Sequence, residues 1–260
     1  MSKSTYALCL ALTLLVAGHA RAEGPPTAEE LVAKFLDSDP WGLGGAVITA
    51  HAKLTDKRGA SSELVFTARS RRHDPPYSKS MVRFSAPADL AGAGFLQIQN
   101  RGTDDDRFLF LPELKRSRRI SGNLRGNSFM GTDFSFADLD RRDFRESRAV
   151  SKPDETIGKY ACFHIEATPN RSDSPYGAVE VWLRKDNMLP LKMVMYDHAR
   201  VLMKTFTTLE VRRVGGRWYV TKSKMDDPVH SHSTELVITD IAPATDIPDE
   251  DFTVRNLEKL

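Results

Sequence analysis

From Gly44 onward, apolar and polar residues mostly alternate along the chain with a period of two. Successive strand residues point to opposite faces of a sheet, so this alternation predicts strands with one buried face. Leu64, Phe66 and Ala68 alternate with Glu63, Val65 and Thr67, and Val179, Val181 and Leu183 with Glu180, Trp182 and Arg184. Leu191, Met193 and Met195 alternate with Lys192, Val194 and Tyr196. The habit continues from Val201 to Val214, where Gly215-Gly216 turns the chain into Arg217 to Lys224. Turn signals such as Asp74-Pro75-Pro76, Arg101-Gly102-Thr103-Asp104 and Lys185-Asp186-Asn187 punctuate the pattern. Together they predict about ten antiparallel strands, paired mostly with sequence neighbours. A sheet of that many strands curls because strands twist, and closing it or covering it with helices removes exposed edges. The expected fold is therefore mainly β (α+β): one curved antiparallel sheet forming a barrel or half-barrel, covered by short helices.

Helical spacing occurs in three places. Thr27-Ala28-Glu29-Glu30 is a capping box, followed by Leu31, Val32, Phe35 and Leu36 on one side and stopped by Asp39-Pro40. Ala137 to Arg141 is expected as a short helix after Phe136, and Asp249 to Leu257 as a helical turn capped by Thr253.

One segment breaks the alternation. Arg107-Phe108-Leu109-Phe110-Leu111 is apolar on both strand faces, so it must be covered on both sides by protein or by a bound apolar molecule. It runs into the cationic loop Lys115-Arg116-Ser117-Arg118-Arg119 and then the aromatic turn Asn127 to Phe134.

The first residues bear on location. Lys3 precedes an apolar stretch from Tyr6 to Gly18, too short to span a bilayer comfortably, and Ala20-Arg21-Ala22 supplies small residues at a cleavage site. Residues 1–22 are expected to be a cleaved signal peptide, 23–260 a single exported, periplasmic domain. Losing 1–22 removes Lys3 and Arg21 and no acid, which takes the formal charge from +2 to zero. A balanced, exported chain does not point to nucleic acid. Cys162 is then the one cysteine left, so no internal disulfide is expected.

Catalytic signatures are absent: the chain has no Gly-x-Ser-x-Gly, Ser-x-x-Lys, His-Glu-x-x-His or Gly-x-x-x-x-Gly-Lys. Cys162 and His164 share a strand face as a thiol and base would, or as a small core residue beside a half-buried histidine. His230 and His232 with Asp226 and Asp227 lack a third ligand at useful spacing, and Asp104-Asp105-Asp106 lacks the glycine and spaced oxygens of a calcium loop. No catalytic residue, metal or cofactor is expected. Lys115, Arg116, Arg118, Arg119 and Arg125 form either a solvated loop or a cationic rim for phosphate or carboxylate headgroups or an anionic membrane surface. Arg69, Arg71, Arg72 and Lys79 carry the same two readings. Met130, Met193, Met195 and Met203 suit variable acyl shapes and core filling equally.

The stretch from Arg107 to Ile120, continued by Ser128-Phe129-Met130-Gly131-Thr132-Asp133-Phe134-Ser135-Phe136-Ala137-Asp138-Leu139, resembles the signature of LolA-like outer-membrane lipoprotein-sorting proteins. The likeness extends more loosely from Thr27 to Ile247-Pro248-Asp249, and is to a divergent branch rather than to the dedicated lipoprotein chaperone. It implies a helix-covered curved sheet, an apolar cavity, and a periplasmic role shuttling lipid or lipoprotein acyl chains. It also implies a membrane partner, an inner-membrane exporter of the resistance-nodulation-division type. The leading expectation is a non-enzymatic carrier whose cavity wall draws on Leu96, Ile98, Phe108, Phe110, Met130, Trp182, Met193 and Met195. Arg116, Arg118, Arg119 and Arg125 would meet headgroups or a partner. The alternatives are a sensor or accessory module of an exporter with a packed interior and, third, a hydrolase.

Overall fold

The computed structural model of the protein describes residues 24–74, 77–139 and 142–259, so the expected signal peptide lies outside the described residues. Helix α1 (Ala28–Ser38) starts at the capping box: Thr27 Oγ1 accepts from the Glu30 amide at 3.2 Å, and the Glu30 carboxylate accepts from the Thr27 amide at 3.0 Å. Leu31, Val32, Phe35 and Leu36 are buried along its inner side. Asp39 closes the helix in the left-handed region (φ 51°), and its carboxylate accepts from the Gly44 amide at 2.7 Å, aiming the chain into the first strand.

Among the described residues a single antiparallel sheet of thirteen strands follows. Its first six strands are β1 (Gly45–Thr55), β2 (Ser61–Asp74), β3 (Tyr77–Ala86), β4 (Gly94–Ile98), β5 (Asp106–Leu111) and β6 (Arg116–Arg119). They step outward, each beside the last, to one edge. The other seven are β7 (Ser147–Ile157), β8 (Tyr160–Pro169), β9 (Ala178–Arg184), β10 (Pro190–Tyr196), β11 (Leu202–Val214), β12 (Arg217–Asp227) and β13 (His232–Pro243). These step inward from the opposite edge until β13 pairs with β1. The sheet is unclosed, with β6 and β7 as its edges. At Gly215-Gly216 both φ angles are positive (55° and 83°), the pattern of a type I′ hairpin, as the glycine pair predicts.

There are more strands than alternation alone predicts. β6, expected as a loop, reads Arg-Ser-Arg-Arg and has no apolar period. It is a strand because it gives β5 partners for its backbone groups, with Leu109 opposite Arg118 and Leu111 opposite Arg116. The helix expected at Ala137 to Arg141 is displaced. Ala137–Leu139 form a turn, and the helix, α2, is Arg142–Arg145; residues 140 and 141 lie outside the described residues.

Cross-strand register sorts the side chains onto two faces. On the concave face Ile165, Val181, Met193, Phe206 and Met225 form one row across β8 to β12, beneath α1. Ala68, Val82, Phe95 and Leu109 form another across β2 to β5. On the convex face Met81, Leu96 and Phe108 are aligned. There a 3-10 turn (Asp249–Phe252) and α3 (Val254–Leu257, capped by Thr253 as expected) lay Ile247, Phe252 and Leu257 over Met81, Leu96 and Phe110. The doubly apolar strand is thus covered on both faces by the protein itself, Leu109 and Leu111 inward and Phe108 and Phe110 under the C-terminal strap.

Candidate ligand-binding site

The hollow of the curved sheet contains an apolar cavity of about 190 Å³. Its floor is made by small residues on the central strands: Ala50, Ala52 and Ala68 stand among Ile48, Leu64 and Phe66 on β1 and β2. Alanine is a poor strand former, and three of them where larger side chains would otherwise meet α1 leave the space open. Val179, Met193, Met195 and Phe206 form the far wall, and Phe35, Leu36 and Trp41 the roof. Edge-to-face contacts tie the roof together, with ring centroids 6.1 Å apart for Phe35–Trp41, 5.5 Å for Phe35–Phe144 and 5.8 Å for Trp41–Phe206. The volume exceeds the roughly 150 Å³ known to hold benzene in a dry engineered cavity, so a few methylenes fit without any movement.

One end of the cavity is closed by the aromatic turn, which has two different sides. The turn reverses at Met130 and Gly131, both with positive φ (53° and 80°), and the Thr132 amide donates to the Phe129 carbonyl at 3.0 Å. Ser128 pairs with Ser135 as an isolated bridge, so the residues around them alternate as in a hairpin. Phe129 and Phe134 line the cavity, and Phe136 packs with Phe95 and Phe129 at 5.5 and 5.6 Å. Ser128, Gly131, Asp133 and Ser135 line a second space of about 780 Å³ with mixed polar and apolar walls, a vestibule at the hairpin ends. Thr132 and Tyr176 border both.

Buried ionic contacts hold this partition to the sheet. Lys204, on the concave row beside Met195, donates to the Asp138 carboxylate at 2.5 Å, and Tyr176 donates to the same carboxylate at 2.7 Å. His232 Nδ1 lies 2.8 Å and Thr234 Oγ1 2.6 Å from Asp133 Oδ2. Nearby His230 Nδ1 donates to Asp227 at 2.7 Å, and that hydrogen bond pulls the imidazole pKa up.

Solved structures share this architecture. An 89% span of the chain superposes on 98% of a protein domain from Vibrio parahaemolyticus assigned to outer membrane lipoprotein sorting, with TM-score 0.83 and 27% identity. A DUF1329 family protein from Desulfovibrio piger gives 0.83 at 24% identity, covering 88% of this chain and 97% of that one. A LolA superfamily protein from Nitrosomonas europaea gives 0.71 at 19%, covering 88% and 98%. A family model described only as "uncharacterized protein"-like matches residues 77–259, well over half the chain. The chain belongs to that family, and its fold is the one shared by these LolA-like structures. No curated protein matches it.

The LolA-like fold brings together only some of the expected wall. Met193 and Met195 line the cavity. Leu96, Ile98, Phe108 and Phe110 do not: they lie on the convex face against the C-terminal strap. Trp182 is also convex, because it stands opposite Lys192 while Val181 and Met193 take the inner row. His164 stacks on it at 4.2 Å, and Lys192 Nζ lies 4.7 Å from its ring centroid. Met130 packs beside the aromatic cluster at the tip of the turn, not in the cavity wall.

The cationic expectations divide likewise. Arg125 is 1% exposed and bonded to Asp173 at 3.0 Å, an internal group rather than a headgroup contact. Arg119 points to the convex side and pairs with Asp106 at 2.6 Å. Arg116 and Arg118 are exposed on β6, on the concave side with Leu111 and Leu109, and make no ion pair among the described residues. Arg71 and Lys79 are held by Asp249 of the C-terminal strap.

The other candidate chemistry has structural partners. Cys162 is buried, with Sγ 3.5 Å from the Tyr160 carbonyl, and burial pushes its thiol pKa up, away from thiolate character. Asp104, Asp105 and Asp106 are bonded to Arg171, Arg107 and Arg119 in turn. Among the described residues no group of three or more His, Cys, Asp or Glu could hold a metal ion. The floor alanines and the two-sided aromatic turn went unread in the sequence. Their signal is alanine at alternate β1 positions and serine–phenylalanine alternation around Met130-Gly131.

Proposed function

We propose that the protein is a periplasmic carrier that shelters the acyl chain of a lipid or lipoprotein between its concave sheet and α1. A single observation carries this reading: an apolar hollow floored by alanines and roofed by a short helix, in a LolA-like fold. Burying a methylene is worth about 0.8 kcal/mol, so a partly inserted tail supports micromolar holding. Longer chains require the Phe35–Trp41–Phe144 roof to part from Phe206, which breaks the Trp41–Phe206 edge contact, worth about 1 kcal/mol, and no backbone ladder. Delivery from residues 1–22 to the periplasm, and an inner-membrane exporter of the resistance-nodulation-division type as partner, belong to this reading. Their support is the leader-like N-terminus and the Arg107–Leu139 motif. Exposed Arg116 and Arg118 on the β6 edge are the cations such a partner, or an anionic membrane, would meet.

The test is extraction of the protein purified from its native envelope, followed by mass spectrometry of the organic phase. Stoichiometric lipid is the expected result. Reproducible absence of lipid, with no uptake of a neutral apolar fluorophore, would favour the packed accessory module instead.

A further inference from the structure

The β6 edge of the sheet already binds a carboxylate. Glu258, the residue after α3, accepts from the Ser117 amide at 2.8 Å and from Ser117 Oγ at 2.7 Å. The amide hydrogen bond holds the Glu258 carboxyl below its ordinary pKa. Buried Leu257 seats Glu258 there, while Glu258 itself is exposed. We propose that this edge is the docking site for an extended acidic segment of a partner protein, and that Glu258 holds the partner's place until the segment displaces it. The inference rests on the reading above only in taking β6 as the edge that faces a partner; it does not depend on the cargo.

The backbone of β6 selects an extended chain. The Ile120 amide donates to the Arg107 carbonyl at 2.9 Å, towards β5. By antiparallel alternation Arg116 and Arg118 also spend their backbone groups on β5, and Ser117 and Arg119 turn theirs outward. A strand laid along this edge would bond Ser117 and Arg119, and its residues two apart would face Arg116 and Arg118. The side chains select the charge. Arg119 is engaged with Asp106 at 2.6 Å, whereas exposed Lys115, Arg116 and Arg118 make no ion pair among the described residues. The carboxylates that border them are Glu113, on the preceding turn, and Glu258. Three cations therefore outnumber two acids, and they outnumber one once Glu258 is displaced. Leu114, 53% exposed, adds an apolar contact at one end of the edge. An anionic membrane would meet the guanidinium groups but leave the outward amides without acceptors in register. The opposite edge lacks these features: Pro153 of β7 has no amide hydrogen, and the β7–β8 register shifts between Lys152 and Glu155, which blunts that edge.

The experiment follows a fluorescein-labelled peptide, Thr-Val-Glu-Val-Glu-Val-Thr, by anisotropy on the whole protein, beside the same peptide with lysine for glutamate. The acidic peptide should bind and the basic one should not. Glu258→Ala frees the edge and should tighten binding by about threefold to tenfold. Ser117→Pro removes an outward amide and no β5–β6 hydrogen bond, and should weaken binding about tenfold. Arg116→Ser/Arg118→Ser leaves the backbone intact and should weaken it about as much at low salt, with the difference shrinking as salt is added. No peptide binding even in Glu258→Ala, equal binding of both peptides, or binding that survives both Ser117→Pro and the arginine double variant overturns the proposal. So does capture by phosphatidylglycerol vesicles that needs the arginines while the peptide fails to bind, which would make the edge a membrane contact. Uptake of N-phenyl-1-naphthylamine by the same proteins reports the carrier reading separately, and should be unchanged in every variant.

Discussion

Lys204 on β11 and Asp138 behind the aromatic turn meet at 2.5 Å with each side chain only 8% exposed. This contact ties the partition between cavity and vestibule to the sheet. It exists because Lys204 falls on the concave row next to Met195, where an apolar residue would otherwise continue the wall.

Removing one member of a buried pair strands the other. Lys204→Met should cost about 3–5 kcal/mol, read as a lower urea midpoint. Adding Asp138→Asn removes the stranded charge and keeps one acceptor oxygen for the Ser135 amide, 2.6 Å from Asp138 Oδ2, while the Tyr176 hydroxyl at the other position can accept from the new amide NH2. The double variant should therefore be more stable than Lys204→Met alone. A single variant within about 0.5 kcal/mol of the parent would show that the contact does not hold the partition.

The face assignment predicts a separation of binding from stability. Ala52→Phe places a ring in the hollow, and should abolish uptake of a neutral apolar fluorophore while the protein stays folded. Trp182→Phe, on the convex face, should lower the thermal midpoint through lost packing on His164 and leave uptake unchanged. Loss of uptake in Trp182→Phe, measured by fluorophore titration, would place the cavity on the wrong side of the sheet.

The C-terminal strap depends on a missing side chain. A Cβ at Gly94 would stand 2.8 Å from Leu257 Cδ1 and 3.1 Å from the Val82 carbonyl. The Arg83 guanidinium, 3.0 Å away, would have to move too, and it now caps α3 by donating to the Leu257 and Asn256 carbonyls. Gly94→Ala should cost about 1–3 kcal/mol through overpacking, and should expose residues after Ile247 to carboxypeptidase. Unchanged digestion would contradict close seating of the strap.

Acid should weaken the β8–β11 side. Glu166 accepts from Arg200 at 2.6 Å and lies 3.1 Å from Lys152 Nζ. The Arg200 hydrogen bond is the main cause that lowers its pKa from 4.5 to about 2. A depressed carboxyl stabilises the fold above its unfolded pKa, and that contribution is lost as pH falls from about 4.5 towards about 2. With the solvent screening of half-exposed Arg200 discounted, the loss is about 2 kcal/mol. Urea midpoints near neutral pH and near pH 3 should differ more in the parent than in Arg200→Ala; equal differences would remove Glu166 from the account.

Much of the architecture can be read from local pattern. The capping box at Thr27, the Gly215-Gly216 hairpin and the Thr253 cap depend on residues close in sequence, and each forms where the chain alone predicts it. Polar stretches were less legible: β6 carries no apolar period, since edge strands need only their backbones satisfied on one side.

The sequence by itself determined a curved antiparallel sheet with short helical covers, because period-two alternation and hairpin turns are local properties. It could not choose which parity faces inward in strands apolar on both sides. Met193 against Trp182, or Leu109 against Phe108, is settled by cross-strand register and by where distant segments lie: α1 on the concave face and Ile247 to Leu257 on the convex one. The pairing of Arg125 with Asp173 likewise joins residues 48 positions apart, and only the closed fold turns an apparent surface cation into a buried one.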